Sequence, residues 1–318
     1  MIGLLAVGAW GAAQIYPPTR AVRLRNAMLA RRGSLRDFDW TPQNIPVVFR
    51  QEKARPYDRF REVVAALNLD SCGSDWERAL RIAEHLTLLT RDLGPIQRDL
   101  ETTYRQMTRG YGYCADFVKV FLGLAHAAGL HSRQWCFSFD GFGGHGHTFV
   151  EVFDRTANKW FFLDVHNNIH ARNAATNVPL GALEFREALL LGSPVFRISS
   201  NGAGRLGFPI EAKLLAYFRR GLQEWYFICG NAVFSYEASP LVRWASTVSG
   251  PMGQIVASSL GEHPSIQVLA TPENVERVDA LMVLRRQFQI ALLVCLALLV
   301  LLVMQMYIHG ASPPMKAV

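Results

Sequence analysis

Charge and cysteine are both scarce in this chain. Charged side chains make up 19% of 318 residues, against 50% that are hydrophobic. None falls in residues 290–308 (IALLVCLALLVLLVMQMYI), where Gln305 is the one clearly polar residue. A core helix of a soluble protein would keep a polar stripe, so its absence predicts a membrane helix over 289–309 and a tail over 310–318. At about 1.5 Å of rise per residue the run matches the hydrocarbon core of a bilayer. The five cysteines (Cys72, Cys114, Cys136, Cys229, Cys295) are odd in number, show no repeated spacing, and include one inside the apolar run. That excludes a disulfide framework and fits a reducing compartment.

Metal-binding patterns are missing too: there is no Cys-x-x-Cys and no His-Glu-x-x-His. Cys136, His145, His147, Asp164, His166 and His170 are ligand types close together in sequence. No ligand pair repeats among them, so neither a metal nor a cofactor is expected. Also missing is any basic residue ahead of the first apolar run, residues 1–16 (MIGLLAVGAWGAAQIY). A signal peptide needs one, and Gly11-Ala12-Ala13 is only a loose cleavage site. Gly3, Gly8 and Gly11 weaken the run as a helix, and a short spanning or membrane-dipping segment over 1–18 is expected.

What charge there is leaves a net +7, unevenly placed. Arg20, Arg23, Arg25, Arg31 and Arg32 follow the first apolar run; Arg285 and Arg286 precede the last. By the positive-inside rule this puts the intervening domain in the cytoplasm, against anionic lipid headgroups. A membrane-protein partner fits the same location. Nucleic acid is not expected, because no aromatic interleaving or reading motif accompanies the arginines.

The length and apolar content allow one good core, with room for a smaller second unit. Residues 19–72, rich in Arg and punctuated by Pro42, Pro46 and Pro56, read as an irregular or partly helical lead-in. A core over 73–175 follows. Trp76, Ala79, Leu80, Ala83, Leu86 and Leu89 recur at helical spacing. A second, polar helix is predicted over 96–109, and a third from Cys114 to the stop at Gly129. Alternating strands are predicted over 132–139, 147–153 and 160–165, the last two joined by a polar hairpin turn. Helices followed by consecutive antiparallel strands predict an α+β fold, helices packed on an antiparallel sheet. Residues 176–288 read as a mainly helical extension, with helices over 180–191 and 211–229, a short strand over 265–270, and one long helix from 274 into the membrane run. The cluster Trp225-Tyr226-Phe227 reads as packing rather than as a partner surface.

Three segments carry chemistry. Cys114 opens an apolar helix after Gly110-Tyr111-Gly112-Tyr113; His147 opens the strand His147-Thr148-Phe149-Val150-Glu151-Val152; Asp164 closes Trp160-Phe161-Phe162-Leu163-Asp164. A free thiol titrates near about pH 8.5, and a helix N-terminus favours the thiolate. A neighbouring imidazole can take the thiol proton and later return it to a leaving group. A carboxylate on the other ring nitrogen fixes the useful tautomer, and a hairpin would fold His147 and Asp164 side by side. The Cys114 backbone N–H and one of Tyr111, Gln97 or Trp76 are the candidate oxyanion donors. His145 reads as a loop residue that gates or binds substrate.

This order of segments resembles the transglutaminase-like superfamily, with its papain-like Cys-His-Asp core. There a cysteine follows a Gly/aromatic turn, a histidine sits in His-x-Trp-x-Glu-Val, and an aspartate ends a strand that opens with Trp. The resemblance covers residues 74–168; it departs at Phe149, where Trp is usual, and at Val165, where Pro often follows the aspartate. It implies a membrane-anchored, bacterial-type member, at the inner membrane, whose Cys114, His147 and Asp164 form a thioester from a peptide or other amide substrate. Transfer to water makes a peptidase or amidase; transfer to an amine makes an acyltransferase. Arylamine acetyltransferases share the triad order, and an idle, substrate-gripping scaffold is the alternative of another class.

Overall fold

The computed structural model describes residues 11, 13, 16–91, 93–192, 195–248 and 250–310. In chain order these give α1 (Pro18–Leu29), β1 (Ala30–Gly33), α2 (Asp58–Ala66), α3 (Asp75–Leu89), α4 (Leu100–Met107), α5 (Cys114–Ala127), β2 (Ser132–Ser138), β3 (Gly146–Asp154), β4 (Lys159–Leu163) and β5 (Ile169–Asn173). There follow α6 (Ala182–Leu191), β6 (Phe196–Ser200), α7 (Glu211–Arg220), β7 (Trp225–Ile228), α8 (Phe234–Ala238), α9 (Pro240–Val248), α10 (Gly250–Ser259), β8 (Ile266–Leu269) and α11 (Val275–Gly310).

Local chemistry sets the helix ends. Ser74 Oγ accepts the Glu77 N–H at 3.2 Å, while Glu77 reaches back to the Gly73 N–H at 2.7 Å, so α3 starts where both ends of its first turn are satisfied. Asp99 caps α4 by accepting the Thr102 N–H at 2.8 Å. Gly129 ends α5 in the left-handed region, φ +69°, which costs glycine little.

Six strands form one sheet in the order β1-β8-β7-β2-β3-β4, antiparallel throughout except for the parallel pair β1 and β8. β5 and β6 make a separate two-stranded ribbon. Alternation sends Val150, Val152, Phe161 and Leu163 to a core shared with α3 and α5, through Ala83, Leu86, Phe117 and Phe121. The opposite face presents Trp135, Phe137, Phe149 and Phe162 to Phe185 of α6 and Phe218 of α7. Further along the first face, Cys136, Tyr226, Ile266 and Val268 pack against Ala27 of α1 and against Val278 and Leu281 of α11. The fold is thus α+β, a mostly antiparallel sheet with helices on both faces.

Three stretches differ from the sequence reading. The lead-in, partly helical as expected through α1 and α2, also supplies the edge strand β1, and the β5–β6 ribbon was not expected. The helix predicted over 211–229 stops at Arg220, and Trp225–Ile228 becomes the interior strand β7, all four residues buried. A strand covered on both faces shows no apolar alternation, and next to an amphipathic helix its apolar run reads as one more turn. Trp225, Tyr226 and Phe227 are accordingly core residues. The expected segment over 1–18 and the tail over 310–318 lie almost wholly outside the described residues.

Candidate active site

The turn that delivers Cys114 is tied down by Asp116, two residues on. Its carboxylate accepts the N–H groups of Tyr113, Ile96 and Gln97, each at 3.0 Å, and Gly112 N–H donates to Gly94 O at 2.8 Å. One buried carboxylate therefore caps α5 and holds the 94–97 loop against the cysteine's turn. Cys114 itself is half-buried at the first position of α5, where backbone N–H groups lack helical partners.

His147, next to the first residue of β3, pairs with Phe137 in the sheet register. Its ring is buried, with Nε2 2.7 Å from Asp164 Oδ2, and Cys114 lies close enough to contribute to its charge balance. Asn167 Nδ2 is 3.2 Å from Nε2 and 2.6 Å from Asp164 Oδ2. An Nε2–H that donates to the carboxylate cannot also accept, so the Asn167 amide belongs to Asp164. Asp164 is 0% exposed. Besides these contacts it accepts the Asn167 N–H on Oδ1 at 3.1 Å, and its backbone O accepts Asn201 Nδ2 at 3.0 Å.

Burial pushes the His147 pKa down, but the Asp164 charge and hydrogen bond, with a smaller contribution from Cys114, outweigh it and the net direction is up. For Asp164 burial pushes up, while the His147 charge and hydrogen bond and the Asn167 N–H bring it below the usual carboxylate range. The arrangement is a buried histidine–carboxylate pair with the Cys114 sulfur beside the ring.

Sequence reasoning missed the residues that wall this site. Tyr217 and Phe218 of α7 stand edge-on to the His147 ring, at 5.7 Å and 5.8 Å, and the Tyr217 hydroxyl donates to Gly146 O at 2.8 Å. Only their place on an amphipathic helix hinted at them. Asn167 had a better signal, since Asp164-Val165-His166-Asn167-Asn168 is turn chemistry. Of the oxyanion candidates, Gln97 is linked to the Cys114 turn through its backbone, and exposed Tyr111 precedes that turn. Trp76 packs against Phe161 and His170, its backbone N–H on Asp154 at the other end of β3 from His147. His145 lies exposed on the loop, stacked on Phe139.

The ligand-type residues do not converge. Cys136 donates to Thr148 Oγ1 at 3.2 Å, and burial pushes its thiol up to about 11. His170 is bonded by Asn201 and Arg172 and, mainly through burial, is pulled down to about 4. Among the described residues no three His, Cys, Asp or Glu side chains are grouped as a metal would require.

Residues 64–165 match the family model of the transglutaminase-like superfamily. No curated protein and no solved structure matches the chain. The match begins within α2 and ends one residue past Asp164, so it takes in all three segments that build the site. The chain carries a transglutaminase-like domain of that superfamily over residues 64–165.

Proposed function

We propose that this protein is a membrane-anchored thiol enzyme that takes the acyl group from an amide, such as a peptide bond or a side-chain amide. The observation that carries the reading is the buried His147 held between Asp164 at 2.7 Å and Cys114 on a helix N-terminus. Cys114 passes its thiol proton to His147, the thiolate Sγ attacks the amide carbonyl, and the Cys114 N–H stabilises the oxyanion together with a second donor from the Gln97 loop. His147 gives its proton to the departing amine, leaving a thioester. It then removes a proton from water or an acceptor amine, which takes the acyl group and frees the sulfur. Asp164 stays ionised and holds the ring. Water is the favoured acceptor, making a peptidase or amidase. The apolar length of α11 supports anchoring, and the arginines flanking both apolar runs support a cytoplasmic domain against anionic lipid.

The test is alkylation of the purified full chain by iodoacetamide, followed residue by residue from about pH 5 to pH 9. Cys114 is expected to react faster than Cys72 and to keep reacting well below the ordinary thiol range near about 8.5. Asp164→Asn removes the charge that raises His147, so the low-pH reaction should be lost while the fold persists, and amide turnover should fall by about 10³–10⁴. Equal labelling of every accessible cysteine, unchanged in His147→Ala, would refute the proposal.

A further inference from the structure

The loop that delivers His147 is held in place by residues far outside the matched domain. Between Ser138 and Gly146 the chain turns at Gly141 (φ +79°) and Phe142 (φ +62°), a conformation that a phenylalanine rarely adopts without outside support. The support is Glu224. This residue, 1% exposed, accepts the Gly141 and Phe142 N–H groups on one oxygen, Oε2, at 2.9 Å each, and the Ser138 hydroxyl at 2.5 Å on the same atom. Its other oxygen, Oε1, takes the guanidinium of Arg277. Burial opposes the Glu224 charge, but its donors and Arg277 keep the carboxyl below its usual range. The loop's own Phe142 ring is buried against Tyr226, its carbonyl accepts Asn26 Nδ2 at 2.7 Å, and Gly144 N–H donates to Thr19 O at 3.1 Å. Thr19 and Asn26 belong to α1, and Arg277 to the first turns of α11, the helix that carries the apolar run.

We propose that Glu224 and Arg277 are a positioning pair for the candidate active site, and that the root of the membrane helix sets the place of His147 through them. Gly146 is tied to this support through the sheet register: it pairs with Ser138, whose hydroxyl donates to Glu224, and its backbone lies so close to Phe137 that a Cβ there would meet Phe137 O at 1.9 Å. Losing Arg277 leaves a buried carboxylate without its cation, and the cheapest relief is for the loop to open toward water. A shift of His147 by about 1 Å is enough to cost about a hundredfold where proton transfer depends on geometry. Both members lie beyond residue 165, so the site is completed by the anchor end of the chain rather than by the matched domain alone.

The inference rests on the Cys114–His147 reading, and one experiment separates the two. The full chain in lipid nanodiscs is alkylated with iodoacetamide across the same pH range as wild type, Arg277→Met, Arg277→Lys and Glu224→Gln, with circular dichroism as the check on folding. Expected are a fall of about tenfold or more in the Cys114 rate at pH 6 for Arg277→Met and Glu224→Gln, a shift of the pH profile toward that of Cys72, and recovery in Arg277→Lys. Should Arg277→Met fail to fold, the equal-volume Glu224→Gln carries the test. Folded variants with a rate within about twofold of wild type and an unmoved profile overturn the positioning role alone. A wild-type Cys114 no faster than Cys72 overturns the thiol reading, and the inference with it.

Discussion

His147 is pushed in opposite directions by its surroundings, and the balance decides its charge. Burial favours the neutral ring; Asp164 favours the cation and wins. A raised folded value means that this pair stabilises the fold below the histidine's unfolded pKa and that the contribution fades as pH rises through the folded value. The lowered Asp164 works the other way: its contribution is present above about pH 4 and is lost as acid protonates it. Both effects depend on keeping water off the ring, and Tyr217 does that from the α7 side. Tyr217→Phe removes only the bond to Gly146 O and should cost about 1 kcal/mol, with Cys114 alkylation changed by no more than a few-fold. Tyr217→Ala removes the ring as well; it should cost about 2–4 kcal/mol in a denaturant melt and admit water that screens the His147–Asp164 pair. Its pH profile for alkylation should then move toward an ordinary thiol's, and an unmoved profile would show that the ring only fills space.

At the scale of elements, how far the sequence could be read depended on whether the cue was local. Ser74, Asp99 and Gly129 punctuate helices through bonds made within a few residues, so α3, α4 and α5 could be placed, α4 with its start several residues late. The three candidate residues could be picked out for a similar reason: Cys114, His147 and Asp164 each sit at or beside an end of an element whose type its own neighbours declare, and the fold sets His147 against Asp164. β1 and β7 were not legible as strands, and β8 only as a short strand without a partner: β7 is buried on both faces and carries no alternation, β1 is four residues with its two arginines exposed, and β1 pairs with a strand more than two hundred residues away. The walls of the site, Tyr217 and Phe218, inherit that blindness. Asp116 is a case in between, since a cap at the third helical position is readable but its hold on Ile96 and Gln97 is not. Asp116→Ala strands three donors at once and should lower stability by about 1–3 kcal/mol. It should reduce the Cys114 alkylation rate more than Asp99→Ala, which removes a helix cap without touching the Asp116 bonds to Ile96 and Gln97; equal effects would mean that the 94–97 loop has no part in the site.

The molecule as a whole is divided along one helix. α11 runs unbroken for 36 residues, about 54 Å at 1.5 Å per residue. Near its start, Val278 and Leu281 are buried in the sheet's core, and Arg285 donates to Ala30 O at 3.1 Å. Arg32 pairs with Asp279, and Arg25 donates to Gln254 at 2.7 Å, so part of the basic cluster that suggested a lipid surface also clamps α1 and β1 to their neighbours. Beyond that root the helix is bare: Ile290, Leu293, Leu299, Leu301, Met304 and Tyr307 are all more than half exposed. So large an apolar surface needs a cover, and a bilayer supplies one of the right length. Ending the chain after Phe288 removes the bare part and spares the docked part. The shortened protein should stay in solution without detergent, keep its cooperative thermal transition, and alkylate at Cys114 within about twofold of the full chain. Ending it after Ala270 removes Arg277, Val278 and Leu281 together, and should abolish the transition and the selective labelling alike. If the first truncation aggregates as readily as the full chain, the exposed helix is not a membrane anchor; if the second keeps its fold, the root of α11 is dispensable to the core.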